Sequence, residues 1–162
     1  MKTLIKNAKV VTAENVIKGC VAYTDGIIDY VGKDEIEADE IIDAEGGYVV
    51  PGFIDIHCHG GNNLEFMDAS VEEFGKIAEF HKSHGTTTLY ATTLAADWNE
   101  TIEALERFKE YKEKNPTSTL EGVHLEGPWL NPKQCGAQNT SYMQLPSLRA
   151  ARSLARWAKS SA

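Results

Sequence analysis

The sequence predicts an α/β fold, a small all-β unit followed by strand–helix units that feed a parallel sheet. Three observations carry this. Residues 1–50 break into short β-prone runs punctuated by Asp25-Gly26 and Gly46-Gly47. From residue 51 onward, β-branched runs alternate with apolar stripes of helical period. The alternation runs strand, helix, strand, helix, strand, and that order favours parallel pairing, in an open doubly wound sheet or in part of a (β/α)₈ barrel.

Residues 4–12 are β-prone, and residues 20–24 and 27–31 read as a hairpin turned by Asp25-Gly26. Residues 40–44 form a further strand before Gly46-Gly47. Pro51-Gly52 leads into a strand over 53–57. Ser70 and Glu73 have the spacing of a capping box, in which the serine oxygen accepts from the backbone three residues on and the glutamate reaches back. Val71, Phe74, Ile77 and Ala78 make the apolar stripe of the helix that follows, and Gly85 ends it. Residues 86–93 form a β-branched strand. A second helix starts near Asp97, with Glu100 again three residues on. Its stripe is Trp98, Ile102, Leu105 and Phe108, and Asn115-Pro116 stops it, because a residue before proline avoids the α region. Residues 120–126 are the third strand of this half, stopped by Gly127-Pro128.

Residues 146–162 differ from the rest. They hold Arg149, Arg152, Arg156 and Lys159 with no acid, and Ala150, Ala151, Ala155, Ala158 and Ala162. Leu148, Ala151, Leu154, Ala155 and Ala158 keep helical spacing, so a basic helical tail is expected, either a helix of the fold or an aberrant continuation.

The composition excludes several function classes. A formal net charge of -8 repels phosphate backbones and anionic lipid, which argues against nonspecific nucleic-acid or membrane-surface binding. No apolar run approaches the roughly 20 residues of a membrane span, and no apolar segment of secretory type follows Met1-Lys2. The three cysteines, Cys20, Cys58 and Cys135, are odd in number and lack C-x-x-C spacing, which fits a reducing, cytoplasmic setting.

Two clusters carry chemistry. On a strand, side chains alternate, so His57 and His59 face one side and Cys58 the other. Two imidazoles on one face at a strand end can share a divalent metal. Alternation puts Asp55 on that face too, one layer deeper, as a group that orients the ligands. His124 and Glu126 likewise share a face, and Glu126 stands at the strand terminus, where a carboxylate can join the histidines on a metal. His124 reads as an orienting group or a hydrogen-bonded core histidine. His81 and His84, near the end of the first helix, suit its dipole and read as structural. Cys20 and Cys58 read as packed small apolar residues, and Cys135 has no base to make it a nucleophile.

The run Pro51-Gly52-Phe53-Ile54-Asp55-Ile56-His57-Cys58-His59-Gly60 resembles the first barrel strand of the amidohydrolase superfamily. The run from Gly122 through His124-Leu125-Glu126-Gly127-Pro128-Trp129-Leu130-Asn131-Pro132 resembles one branch of it, the N-acetylglucosamine-6-phosphate deacetylases, and Gly136-Ala137-Gln138-Asn139 resembles the substrate loop of that branch. The resemblance covers about residues 1–145. It implies an N-terminal β-sandwich part over 1–50, the first βα units of a (β/α)₈ TIM-type barrel over 51–145, and the basic tail over 146–162. It implies that His57, His59 and Glu126 bind metal, Glu126 standing where other branches use a carboxylated lysine, and that Ala137 and Gln138 touch the sugar. The implied cofactor is one or two divalent ions, zinc above all. The implied reaction is hydrolysis of the acetyl group of N-acetylglucosamine 6-phosphate, by a homodimer, to glucosamine 6-phosphate and acetate.

The same resemblance implies two further metal-binding histidines and a catalytic aspartate on later strands. No histidine follows His124, and residues 146–162 hold no aspartate. The chain is therefore expected to carry only the N-terminal portion of such an enzyme and to be impaired as a hydrolase. Two other readings stay open: an amidohydrolase that opens cyclic amides, and an inactive fragment or metal-binding remnant.

Overall fold

The computed structural model describes residues 1–160, with side chains through residue 158. The chain divides into two compact units, Met1–Pro51 and Gly52 onward.

The first unit is a five-stranded sheet built around its first strand. β1 (Lys2–Val11), β2 (Val16–Thr24) and β3 (Ile27–Gly32) form an antiparallel meander. Asp25 and Gly26 both take positive φ, 50° and 84°, the geometry of a tight hairpin whose twist matches that of the strands. β4 (Glu40–Asp43) and β5 (Tyr48–Val49) then pair in parallel with successive stretches of β1, Thr3–Lys6 and Lys9–Val10. A bulge between Ile5 and Ala8 separates the two stretches, with Asn7 in the left-handed region and its side-chain amide donating to Asp43 Oδ2 at 2.8 Å. Two small apolar clusters sit on this sheet, one around Leu4, Cys20 and Ala22, the other around Ala8, Val10 and Val21.

The second unit holds the alternating elements. β6 (Phe53–Cys58), β9 (Thr86–Thr92) and β10 (Leu120–His124) form a parallel sheet in the order β10-β9-β6. A short hairpin, β7 (Gly60–Gly61) and β8 (Leu64–Glu65), follows β6. α1 (Val71–Ser83) connects to β9 and α2 (Trp98–Lys114) connects β9 to β10. Both helices open with complete capping boxes, Ser70 with Glu73 and Asp97 with Glu100, so the N-cap and N3 N–H groups of each first turn are met locally. The expected stripe of α1 is buried at Phe74, Ile77 and Ala78. That of α2 is rotated: the structure buries Thr101, Ala104, Leu105, Phe108 and Tyr111, and leaves Trp98 and Ile102 half-exposed. Thr101 is admissible inside because its hydroxyl donates to Asp97 O at 3.0 Å, which satisfies it within the helix. Phe66, Phe74, Ile77, Leu89, Phe108 and Leu120 make the centre of the core.

α3 (Leu148–Ser160) turns Trp157 toward this core, its ring 6.4 Å from that of Phe108, and leaves Arg149, Arg152 and Arg156 exposed. The side chain of Lys159, and Ala162, lie outside the described residues. Among the described residues, no helix is long and apolar enough to cross a membrane.

Candidate metal centre

Because β6 and β10 flank β9 in parallel, their C-terminal ends emerge at the same edge of the sheet, one on each side of β9. Two threonines at the end of the middle strand grip both neighbours. Thr92 Oγ1 accepts from the Cys58 N–H at 2.8 Å, between His57 and His59 at the end of β6. Thr93 Oγ1 accepts from the Glu126 N–H at 3.1 Å, and the Thr93 N–H donates to His124 O at 3.0 Å. Both threonines are buried, at 0% and 5% exposure, so these bonds are shielded from water. In the sequence they read only as strand formers, and the one signal of a further part is two polar hydroxyls at the end of a strand.

The grip brings the expected ligands together. Glu126 Oε2 lies 2.9 Å from His57 Nε2 and 3.2 Å from His59 Nε2. All three offer a donor atom to one point, with the atoms within 4.8 Å of one another. His57 is half-exposed and Glu126 more buried, so the centre opens to solvent on the histidine side. His59 Nδ1 is buried without a hydrogen-bond partner among the described residues. His124 stays beside this group: its ring meets that of His57 edge-on at 4.6 Å, and its Nδ1 donates to Ile56 O at 3.1 Å. Only a protonated Nδ1 can bond a carbonyl, so that contact sets the tautomer of His124. Two imidazole nitrogens and a carboxylate oxygen form a donor set that fits a divalent ion of zinc type.

Asp55 is placed differently from strict alternation. Its Oδ1 accepts from the His57 N–H at 3.0 Å, but its carboxylate groups with Cys58 Sγ and His81 Nε2, all within 4.8 Å. The cause is a register shift on β6 between Asp55 and Cys58. Burial raises the Cys58 thiol above its ordinary pKa. His84, the cap of α1, contacts Phe80 O through Nδ1 at 2.8 Å, and Cys20 is buried in the first unit. Cys135 Sγ donates to Pro132 O at 3.2 Å.

The loop after Glu126 is anchored at Ala95. Gln138 Oε1 accepts from the Ala95 N–H at 2.7 Å. Gly127 sits at φ 92°, and a Cβ there would come within 2.9 Å of the Ala95 Cβ, so only glycine fits at this bend. Ala137 is exposed. The hydrogen bond that fixes Gln138 thus runs to the β9–α2 loop, while His57, His59 and Glu126 meet one another directly.

The Amidohydrolase family model matches residues 40–120. The N-acetylglucosamine-6-phosphate deacetylase of Bacillus subtilis is 36% identical over 149 residues, covering 87% of this chain and 38% of that protein. Among solved structures, the N-acetylglucosamine-6-phosphate deacetylase of Thermotoga maritima matches with a TM-score of 0.78 at 31% identity, over 92% of this chain and 39% of that one. A variant of the Mycobacterium smegmatis deacetylase, in complex with N-acetyl-D-glucosamine-6-phosphate, matches with a TM-score of 0.84 at 26% identity, over 98% of this chain and 41% of that one. The chain thus spans about two fifths of the length of these proteins.

Proposed function

Because the chain belongs to the amidohydrolase family, we propose that it supplies the metal-binding strands of a hydrolase that deacetylates N-acetylglucosamine 6-phosphate, releasing acetate and glucosamine 6-phosphate. The observation that carries this reading is the meeting of His57, His59 and Glu126 at one point, from strands far apart in sequence. These three residues would hold a divalent ion, zinc being the best match to their donors, with room in the reading for one ion or two. Bound there, such an ion polarises an amide carbonyl and lowers the pKa of water toward about 7.

The chain's own groups have separable tasks. Glu126 brings negative charge to the two imidazoles, and Thr93 holds its backbone. His124 acts as a positioning residue, its tautomer set by Ile56 O and its ring braced against His57. Asp55 holds the backbone of His57. With Oε1 engaged by Ala95, Gln138 keeps two N–H donors on Nε2 for a sugar hydroxyl or an acetamide oxygen, and Ala137 lends the backbone beside it.

The parallel strands read as the first strands of a (β/α)₈ barrel over 51–145, and the sheet of residues 1–50 as one part of a β-sandwich. Phe53, Ile54 and Ile56 on the edge strand β6 are more than half exposed, which supports a sheet that continues past it. Residues 146–162 read as a basic tail whose helix α3 packs Trp157 against the core of the second unit. A homodimer in a cytoplasmic setting completes the reading, the latter supported by three free cysteines.

The test is acetate release from N-acetylglucosamine 6-phosphate by the zinc-loaded protein, with Glu126→Gln and His57→Asn beside it. Weak, impaired turnover by the unsubstituted chain is expected, because it brings only three of the metal ligands, and none in either variant. Turnover unchanged in Glu126→Gln, or faster opening of a cyclic amide such as dihydroorotate, overturns the deacetylase reading. Metal binding with no turnover leaves the metal-binding remnant in its place.

A further inference from the structure

A second set of metal-type donors includes Cys58, the residue between His57 and His59. We propose that Asp55, Cys58 and His81 form a separate, thiolate-containing site for a divalent ion such as zinc. It shares no residue with the group of His57, His59 and Glu126, and it does not depend on the deacetylase reading.

Residues three apart on a regular strand point to opposite faces. Asp55 and Cys58 escape that rule because β6 advances from Asp55 to Cys58 while β9 advances only from Leu89 to Ala91. The extra residue is a bulge, and it turns both side chains toward the same partner. That partner, His81, comes from the last turn of α1, whose position is set by the burial of Phe74, Ile77 and Ala78. Strand irregularity and helix packing are independent causes, and they converge on one carboxylate, one thiol and one imidazole.

The distances suit coordination. Cys58 Sγ and His81 Nε2 are 3.3 Å apart. Two such atoms bound to one tetrahedral ion, at about 2.3 and 2.0 Å, stand roughly 3.3 to 3.7 Å apart. Gly60 O lies 3.0 Å from each of them and supplies a fourth donor, an oxygen. All three side chains are half-buried. Without an ion, the thiol and the imidazole both direct protons at Gly60 O. Binding releases the thiol proton to solvent and moves the imidazole proton to Nδ1, leaving Sγ and Nε2 as ligands. A thiolate among the donors favours zinc or cobalt over magnesium or calcium. An ion there would clamp the end of α1 to the end of β6, beside His57 and His59.

Cobalt(II) is the probe, because thiolate–cobalt charge transfer absorbs in the near ultraviolet and the donors of the first site contain no sulfur. The metal-free protein is titrated with cobalt alone. The expected result is a charge-transfer band that persists in Cys135→Ser and in Glu126→Gln, disappears in Cys58→Ser, and weakens at least tenfold in apparent affinity in His81→Gln. The His81 variant serves if Cys58→Ser does not fold, as judged by circular dichroism. No band at saturating cobalt, a band that survives Cys58→Ser or is lost in Cys135→Ser, or an affinity unchanged in His81→Gln overturns the proposal.

Discussion

Glu126 Oε2 lies 2.9 Å from His57 Nε2, although 69 residues separate the two in sequence. Parallel pairing on both sides of β9 closes that distance, and Thr93 fixes the Glu126 end of it. Replacing Glu126 by Gln keeps the shape and removes the charge. Zinc affinity, read by competition with a chromophoric chelator, is expected to fall by about tenfold or more, with an unchanged circular dichroism spectrum. An unchanged affinity would show that the carboxylate is not a ligand.

Thr93→Val removes the acceptor for the Glu126 N–H while preserving side-chain volume at a buried position. The expected cost is about 1–3 kcal/mol in urea denaturation, the desolvation of a donor left without a partner. Weaker zinc binding is expected to accompany it, because Glu126 loses its anchor.

Gly127→Ala is expected to destabilise the second unit by about 1–3 kcal/mol, since the residue must hold a left-handed φ and its new methyl meets Ala95. Thermal melting checks this, and the same change at Gly26, where nothing lies within 4 Å of the new methyl, carries the conformational cost alone.

Phe74→Ala empties a site that is 1% exposed, between Phe66 and Tyr111. A loss of about 3–5 kcal/mol is expected by chemical denaturation, from lost transfer energy plus the cavity left behind.

Glu73 links helix capping to pH. Bonds from the Ser70 backbone and hydroxyl hold its carboxyl below the ordinary glutamate value. A depressed pKa favours the folded state while the group is ionised, so its contribution is complete above the unfolded value of about 4.3 and disappears as pH falls through the lower folded value. Melting temperature is therefore expected to drop on acidification through that window, and to drop less in Glu73→Gln. Equal slopes in the two proteins would remove the capping box from the acid response.

The features legible from sequence are those that close over a few residues. Both capping boxes, the Asp25-Gly26 hairpin and the buried stripe of α1 rest on hydrogen bonds and periodicity within one turn or one strand. The metal-type residues were visible for the same reason, since His57 with His59, and His124 with Glu126, are pairs at period two. Tertiary structure alone decided the rest. The parallel attachment of β4 and β5 to β1 depends on pairing across tens of residues. The rotated face of α2 depends on which side chains fit against the core, so Thr101 and Ala104 are buried where Trp98 and Ile102 match the period better. The bulge that moves Asp55 toward Cys58 and His81 has no local signature, because a strand shifts register only against a neighbour. Thr92 and Thr93 acquire their part in the centre only when two flanking strands present N–H groups to them. Sequence determined the chemistry and the local elements, because short-range bonds and side-chain alternation are written residue by residue; long-range pairing and packing decided which of those residues meet.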